Sequence, residues 1–114
     1  MAAGDVVITA DQTLGAIRML AGTVTLDGGN PTPVELTKYG TAVLAGLATI
    51  QGSVAPGADN NDVTAVVNGT ALDIYMWKVT TGGAAGNPTT IASTDNARLV
   101  NWFAIVNANR AKAR

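Results

Sequence analysis

Apolar positions alternate along much of this chain, and in two places they fall on both sides of the alternation. In "LVNWFAIV", Leu99 to Val106, an extended backbone sends Leu99, Phe103 and Ile105 to one side and Val100, Trp102 and Val106 to the other. The strand expected over 71–79 repeats the pattern. Leu72, Ile74 and Met76 share one face, and Tyr75 and Trp77 share the opposite one. One face of each strand can build a core. The second needs cover from elsewhere, because an exposed apolar patch of this kind marks an interaction site.

The remaining elements follow from punctuation between β-rich runs. "DVVIT" from Asp5 reads as a short strand. "LGAIRML", 14–20, fits a short helix or a second strand; Gly15 and the single turn of length weigh against the helix. Residues 1–21 are therefore taken as an extended N-terminal arm packed on something else. "GTVTLDGGNPTPVELT" from Gly22 predicts a hairpin, with its turn at Asp27–Pro31 and its second strand held to an edge by Pro31 and Pro33. "YGTAVLAGLATIQGS" mixes helical spacing with alternation and is read as a strand bent at Gly46. Asn68-Gly69, between "DVTAVV" and "TALDIYMWKV", is the strongest hairpin signal, suited to a type I′ turn. "VAPGADNND" and "TTGGAAGNPTT" are loops, and a short strand or edge is expected at 90–92 before the long strand 98–106.

These strands and turns predict an all-β protein, an antiparallel β-sandwich with an extended N-terminal arm. Its parts are the arm 1–21, the sandwich 22–109 and a basic C-terminal tail 110–114. The length is that of one domain, able to bury roughly 65% of its unfolded surface. Composition sharpens the picture: Thr, Val and Ile together number 33, a β-branched load that suits a pleated surface. Ala numbers 20 against eight Leu, so small side chains must fill close-packed positions.

Charge is sparse, with a net of −1. Arg110, Lys112 and Arg114 concentrate positive charge in the tail, leaving four basic and eight acidic residues, a net of −4, over 1–109. The tail reads as a solvated terminus or as an arm for an acidic partner. The acidic body argues against nucleic acid as a partner. The longest apolar stretch, "AVLAGLA" from Ala42, is too short to span a bilayer, so no membrane partner is expected.

Candidate chemistry is thin. The sequence has no Cys and no His, which removes the commonest zinc ligands and the commonest general base. "ADNND" at 58–62 lacks the alternate ligand spacing and the later Glu of a calcium loop, and reads as a polar turn. The Gly-rich pieces "DGGN" and "TGGAAGN" lack the Lys-Ser/Thr of a phosphate loop. Most carboxylates sit in predicted turns; Asp73 lies mid-strand, expected to face solvent or to pair with Arg98 or Lys78. No catalytic, cofactor or metal residue is assigned, and no enzyme is expected. Tyr75 and Trp77, with Lys78 and Arg98 nearby, suit sugar stacking or, more simply, a subunit interface. The interface candidates are Tyr75, Trp77, Val100, Trp102 and Phe103, with either face of the last strand turned outward. An obligate homo-oligomer follows.

The runs "GTVTLDGGNPTPVELT", "TAVVNGTALDIYMWKV" and "LVNWFAIV" resemble small β-sandwich virion proteins of tailed bacteriophages, which share the layout of H-type lectins. Such proteins end in a strand of the form Val-Asn-Trp-aliphatic-Ala-Ile. Here it is Val100-Asn101-Trp102-Phe103-Ala104-Ile105, with Phe103 in the aliphatic place. The resemblance spans Gly22 to Val106 and implies a capsid decoration (cement) protein. It would be made in the host cytoplasm, form a homotrimer on the virion's capsid surface and clamp the major capsid protein. The alternative it implies is a carbohydrate-binding module of a tail fibre, with a glycan as partner; no sugar-contact residue matches, so none is carried over.

Overall fold

In the computed structural model, which describes residues 3–50, 62–80, 89–95 and 97–107, β-branched and apolar runs form eight strands and no helix. They are β1 (Val6–Leu14), β2 (Ile17–Thr25), β3 (Thr32–Glu35), β4 (Ala42–Ile50), β5 (Asp62–Asn68), β6 (Ala71–Thr80), β7 (Thr89–Ala92) and β8 (Leu99–Asn107). Sheet A has the order β1-β2-β8-β4. In sheet B, β5 lies on one side of β6, while β3 and β7 share its other side end to end. Every pairing is antiparallel, and the two sheets pack as a β-sandwich. The loop read at 54–62 falls mostly, and that at 80–90 largely, outside the described residues, as does the tail 110–114.

Both hairpins turn on glycine. Leu14 pairs with Ile17 and Asn68 with Ala71, so the two-residue loops are Gly15–Ala16 and Gly69–Thr70. Each opens on a glycine with φ of 63°, a left-handed conformation that glycine takes without strain. The Asn68-Gly69 signal is therefore right about the hairpin and one residue early about the turn: Asn68 is the last strand residue, not the first loop residue.

The N-terminal segment is not an arm. From Val6 it is strand β1, which turns back at Gly15 into β2, and β2 lies between β1 and β8 inside sheet A. The boundary drawn at residue 21 cuts through β2, whose Leu20 and Val24 are fully buried. The hairpin expected across Asp27–Pro31 is also replaced. β2 belongs to sheet A and β3 to sheet B, so this turn carries the chain from one layer to the other. Its polar side chains bind the corner together. Asp27 Oδ1 accepts from Gly29 N–H at 2.8 Å and from Thr32 Oγ1 at 2.9 Å. Asn30 Oδ1 accepts from Met76 N–H at 2.9 Å. That last bond, with Ser93 N–H donating to Met76 C=O at 2.8 Å, satisfies Met76, which with Tyr75 lies between the stretches of β6 paired to β3 and β7. The Asn30–Pro31 peptide is cis.

The core forms where large side chains on one sheet meet small ones on the other. On β8, Val100, Trp102, Ala104 and Val106 face inward and are essentially inaccessible. Trp102 stands between Gly22 of β2 and Ala48 of β4, its direct neighbours in register. Leu72, Ile74 and Met76 of β6 come down from sheet B. Leu72 is seated on Gly46: a Cβ there would lie 2.5 Å from Leu72 Cδ1. Gly46 is thus a packing site rather than the bend expected of it, and the irregularity in β4 lies between Val43 and Ala45. Val43 N–H donates to Gly69 C=O at 2.8 Å, joining β4 to the β5–β6 turn across the layers.

The two core glycines should respond differently to an added methyl. At Gly46 it meets the movable end of Leu72, and Gly46→Ala should cost roughly 1–3 kcal/mol, the usual range for overpacking. At Gly22 it runs into the backbone carbonyl of Val7 and lies 3.1 Å from Trp102 Cζ2, neither of which can swing aside. Urea denaturation should therefore show Gly22→Ala to be the more destabilised of the two.

Candidate interaction surfaces

The sandwich separates the five interface candidates. Val100 and Trp102 are 0% and 2% exposed on the inner face of β8, so they are core residues and not interface residues. Alternation then turns Phe103 outward, with Leu99 and Ile105 on the same face. Tyr75 and Trp77 are half-buried on the outer face of sheet B, opposite the inward Leu72, Ile74 and Met76. The structure thus leaves two outer faces, one with Phe103 and one with the aromatic pair.

Register assigns the outer face of sheet A in rows across its four strands. Ala10, Ala21, Phe103 and Leu47 form one row, and Gln12, Met19, Ile105 and Ala45 the next. Towards the hairpin turn, Leu14, Ile17, Asn107 and Ala42 follow. At the other end, Val7, Thr23, Asn101 and Thr49 form a more polar row. These sixteen positions include no charged side chain. Leu47 is 56% exposed and Leu14 51%, and Leu44, at the irregularity in β4, is 53% exposed. The strand reading at 98–106 anticipated an apolar second face; it could not show that β1, β2 and β4 extend it, because that depends on strand order.

The outer face of sheet B has a different chemistry. Tyr75 and Trp77 stack at 5.9 Å between ring centroids with their planes 7° apart. Trp77 Nε1–H donates to Thr64 Oγ1 at 3.0 Å on the neighbouring strand. Asp62 lies across from Trp77, Glu35 across from Ala71, and Asp73 lies between Val66 and Pro33. Asp73 is buried, and it accepts from Asn68 Nδ2 at 2.9 Å rather than facing solvent. Lys78 is not part of this face. Alternation turns it away from Trp77, and it lines a small cleft with Ser93, Thr94 and Asp95.

A third feature sits where β2 meets the β3–β4 connection. A cleft of about 370 Å³ is lined by Arg18, Lys38, Tyr39, Gly40 and the hydroxyl-bearing Thr37, Thr41 and Thr70. Arg18 is already committed. Its Nε and Nη2 donate to the two carboxylate oxygens of Asp11, each at 2.8 Å, and its guanidinium carbon lies 5.1 Å from the Tyr39 ring centroid. The hydrogen bond from Arg18 holds the Asp11 carboxyl below the ordinary carboxylate range, against the opposing effect of burial. Among the described residues no three Asp or Glu side chains gather as a metal site. The "ADNND" and "TGGAAGN" segments lie almost wholly outside the described residues.

The Asp11–Arg18 pair sets a pH dependence. Because the folded-state pKa of Asp11 is depressed, its stabilisation is complete above the unfolded value near 4 and is lost as pH falls through the folded value. Both side chains are about one-third exposed, so solvent screening limits the pair to ~0.5 kcal/mol. Asp11→Asn should be less stable than the parent by that amount at pH 7. In urea melts taken at falling pH, the difference should shrink below about pH 4. No family model matches this sequence, and comparison with curated proteins and with solved structures finds no match either.

Proposed function

We propose that this chain is a structural virion protein of the capsid-decoration kind. It binds the outer surface of the major capsid shell as a homo-oligomer and stabilises that shell without catalysing a reaction. The observation that carries the reading is the uncharged outer face of sheet A, spread over all four strands, with Phe103 on an inner strand and Leu47 beside it on the edge strand β4. A face of this kind is suited to permanent contact and not to turnover. The loose likeness of "VNWFAI" to the terminal strand of phage virion β-sandwiches supports the same class. The action would be mechanical. Each copy contributes modest contacts, and linkage of copies in one oligomer multiplies their hold on neighbouring capsomers.

A carbohydrate-binding role in a tail fibre is the second reading, favoured by the Tyr75–Trp77 stack on the outer face of sheet B. Quantitative mass spectrometry of purified particles separates the two. A copy number close to that of the major capsid protein is the expected result, whereas a number matching tail components would sink the decoration reading. Glycan-array binding that disappears in Trp77→Ala would favour the second role.

A further inference from the structure

We infer that copies of this chain meet through the outer face of sheet A, with a second copy of the same face as its occupant. This rests on the reading of the protein as an assembling part. The first reason is charge. Contact between two copies of one face buries whatever charge that face carries, and a buried charge without an opposite partner is costly. The sixteen positions in these four rows hold none; beyond them, Asp5 precedes β1 and its C=O accepts from Thr25 N–H. Their polar members are Thr, Asn and Gln, whose hydroxyls and amides both donate and accept and so can pair with their own copies. The outer face of sheet B fails the same requirement, since Asp62 and Glu35 are exposed on it without a basic residue in register with them.

The second reason is layout and size. Phe103, Leu47, Met19 and Ile105 lie in the two middle rows, and Asn101 and Thr23 in the polar row at one end. An apolar patch bounded by polar residues on one side suits a protein contact. Four strands about 4.8 Å apart, each about 30 Å long, give a flat footprint of roughly 600 Å². Side chains standing up from the sheet raise the accessible area towards the ~800 Å² per partner of a standard interface.

The test uses the full chain and two substitutions. Leu47→Asp places a charge at an exposed position that is not needed for the core, and Val66→Asp does the same on sheet B. In sedimentation velocity and native mass spectrometry across the micromolar range, the wild type and Val66→Asp should be oligomeric. Leu47→Asp should associate at least ~100-fold more weakly, because an unpaired charge would be buried. Circular dichroism confirms that both variants are folded. Leu47→Cys supplies a second readout, since the chain has no cysteine of its own. Maleimide should react slowly with it in the concentrated oligomer and rapidly after dilution. A wild type that is monomeric throughout, dissociation by Val66→Asp instead, or labelling independent of concentration would each overturn the inference. Particle binding then distinguishes the two levels. A monomer that still coats shells leaves the decoration reading intact, and an oligomer that never binds shells removes that reading alone.

Discussion

The seating of Trp102 between Gly22 and Ala48 is the contact on which the rest of the sandwich depends. The indole is the largest side chain within the core, and only small neighbours on both flanking strands allow it to lie between the sheets. Leu72 settling on Gly46 is the same arrangement seen from the opposite layer. Large groups interlock with gaps left by Gly and Ala, and this is how a chain with 20 Ala and few large aliphatics still packs a core. Once Trp102 points inward, the period of two leaves no choice for its neighbours. Phe103 and Ile105 must face out, and the uncharged surface follows.

The edges of the two layers are joined by specific polar bonds. Val43 N–H to Gly69 C=O links β4 to the β5–β6 turn across the layers, and within sheet B Leu36 N–H to Thr70 C=O at 2.9 Å ties the chain just after β3 to that same turn. The Asp27–Pro31 corner crosses between layers and sends Asn30 to the Met76 N–H that no strand reaches. A sheet built from two short strands, end to end along β6, would otherwise leave that donor unpaired at the junction. The corner is therefore part of the sheet's hydrogen bonding as well as its connection.

The two outer faces are chemically unlike, and that contrast orders the functional reading. One is neutral and apolar over four strands; the other combines a stacked aromatic pair with carboxylates. A neutral face tolerates contact with its own copy, whereas an acidic one selects a partner of different chemistry.

Local chemistry in the sequence determined a good deal. β-branched runs gave the strands, Gly15 and Gly69 allowed the tight turns, Pro33 held β3 to an edge, and alternation placed Leu72, Ile74 and Met76 on one face with Tyr75 and Trp77 on the other. These features depend on neighbours a few residues apart. Strand order and layer assignment do not. An Asp-Gly-Gly-Asn-Pro turn looks alike whether it closes a hairpin or crosses between sheets, so only the pairing of β3 with β6 shows that it crosses. "LGAIRML" looks like an arm until β8 pairs alongside β2. The direction of Trp102 was undetermined for the same reason. Both faces of its strand are apolar, and the small residues that admit the indole lie about 80 and 54 positions away in the chain, at Gly22 and Ala48. Which face was core and which turned outward was decided by tertiary packing, because that choice depends on the size of residues brought together only by the fold.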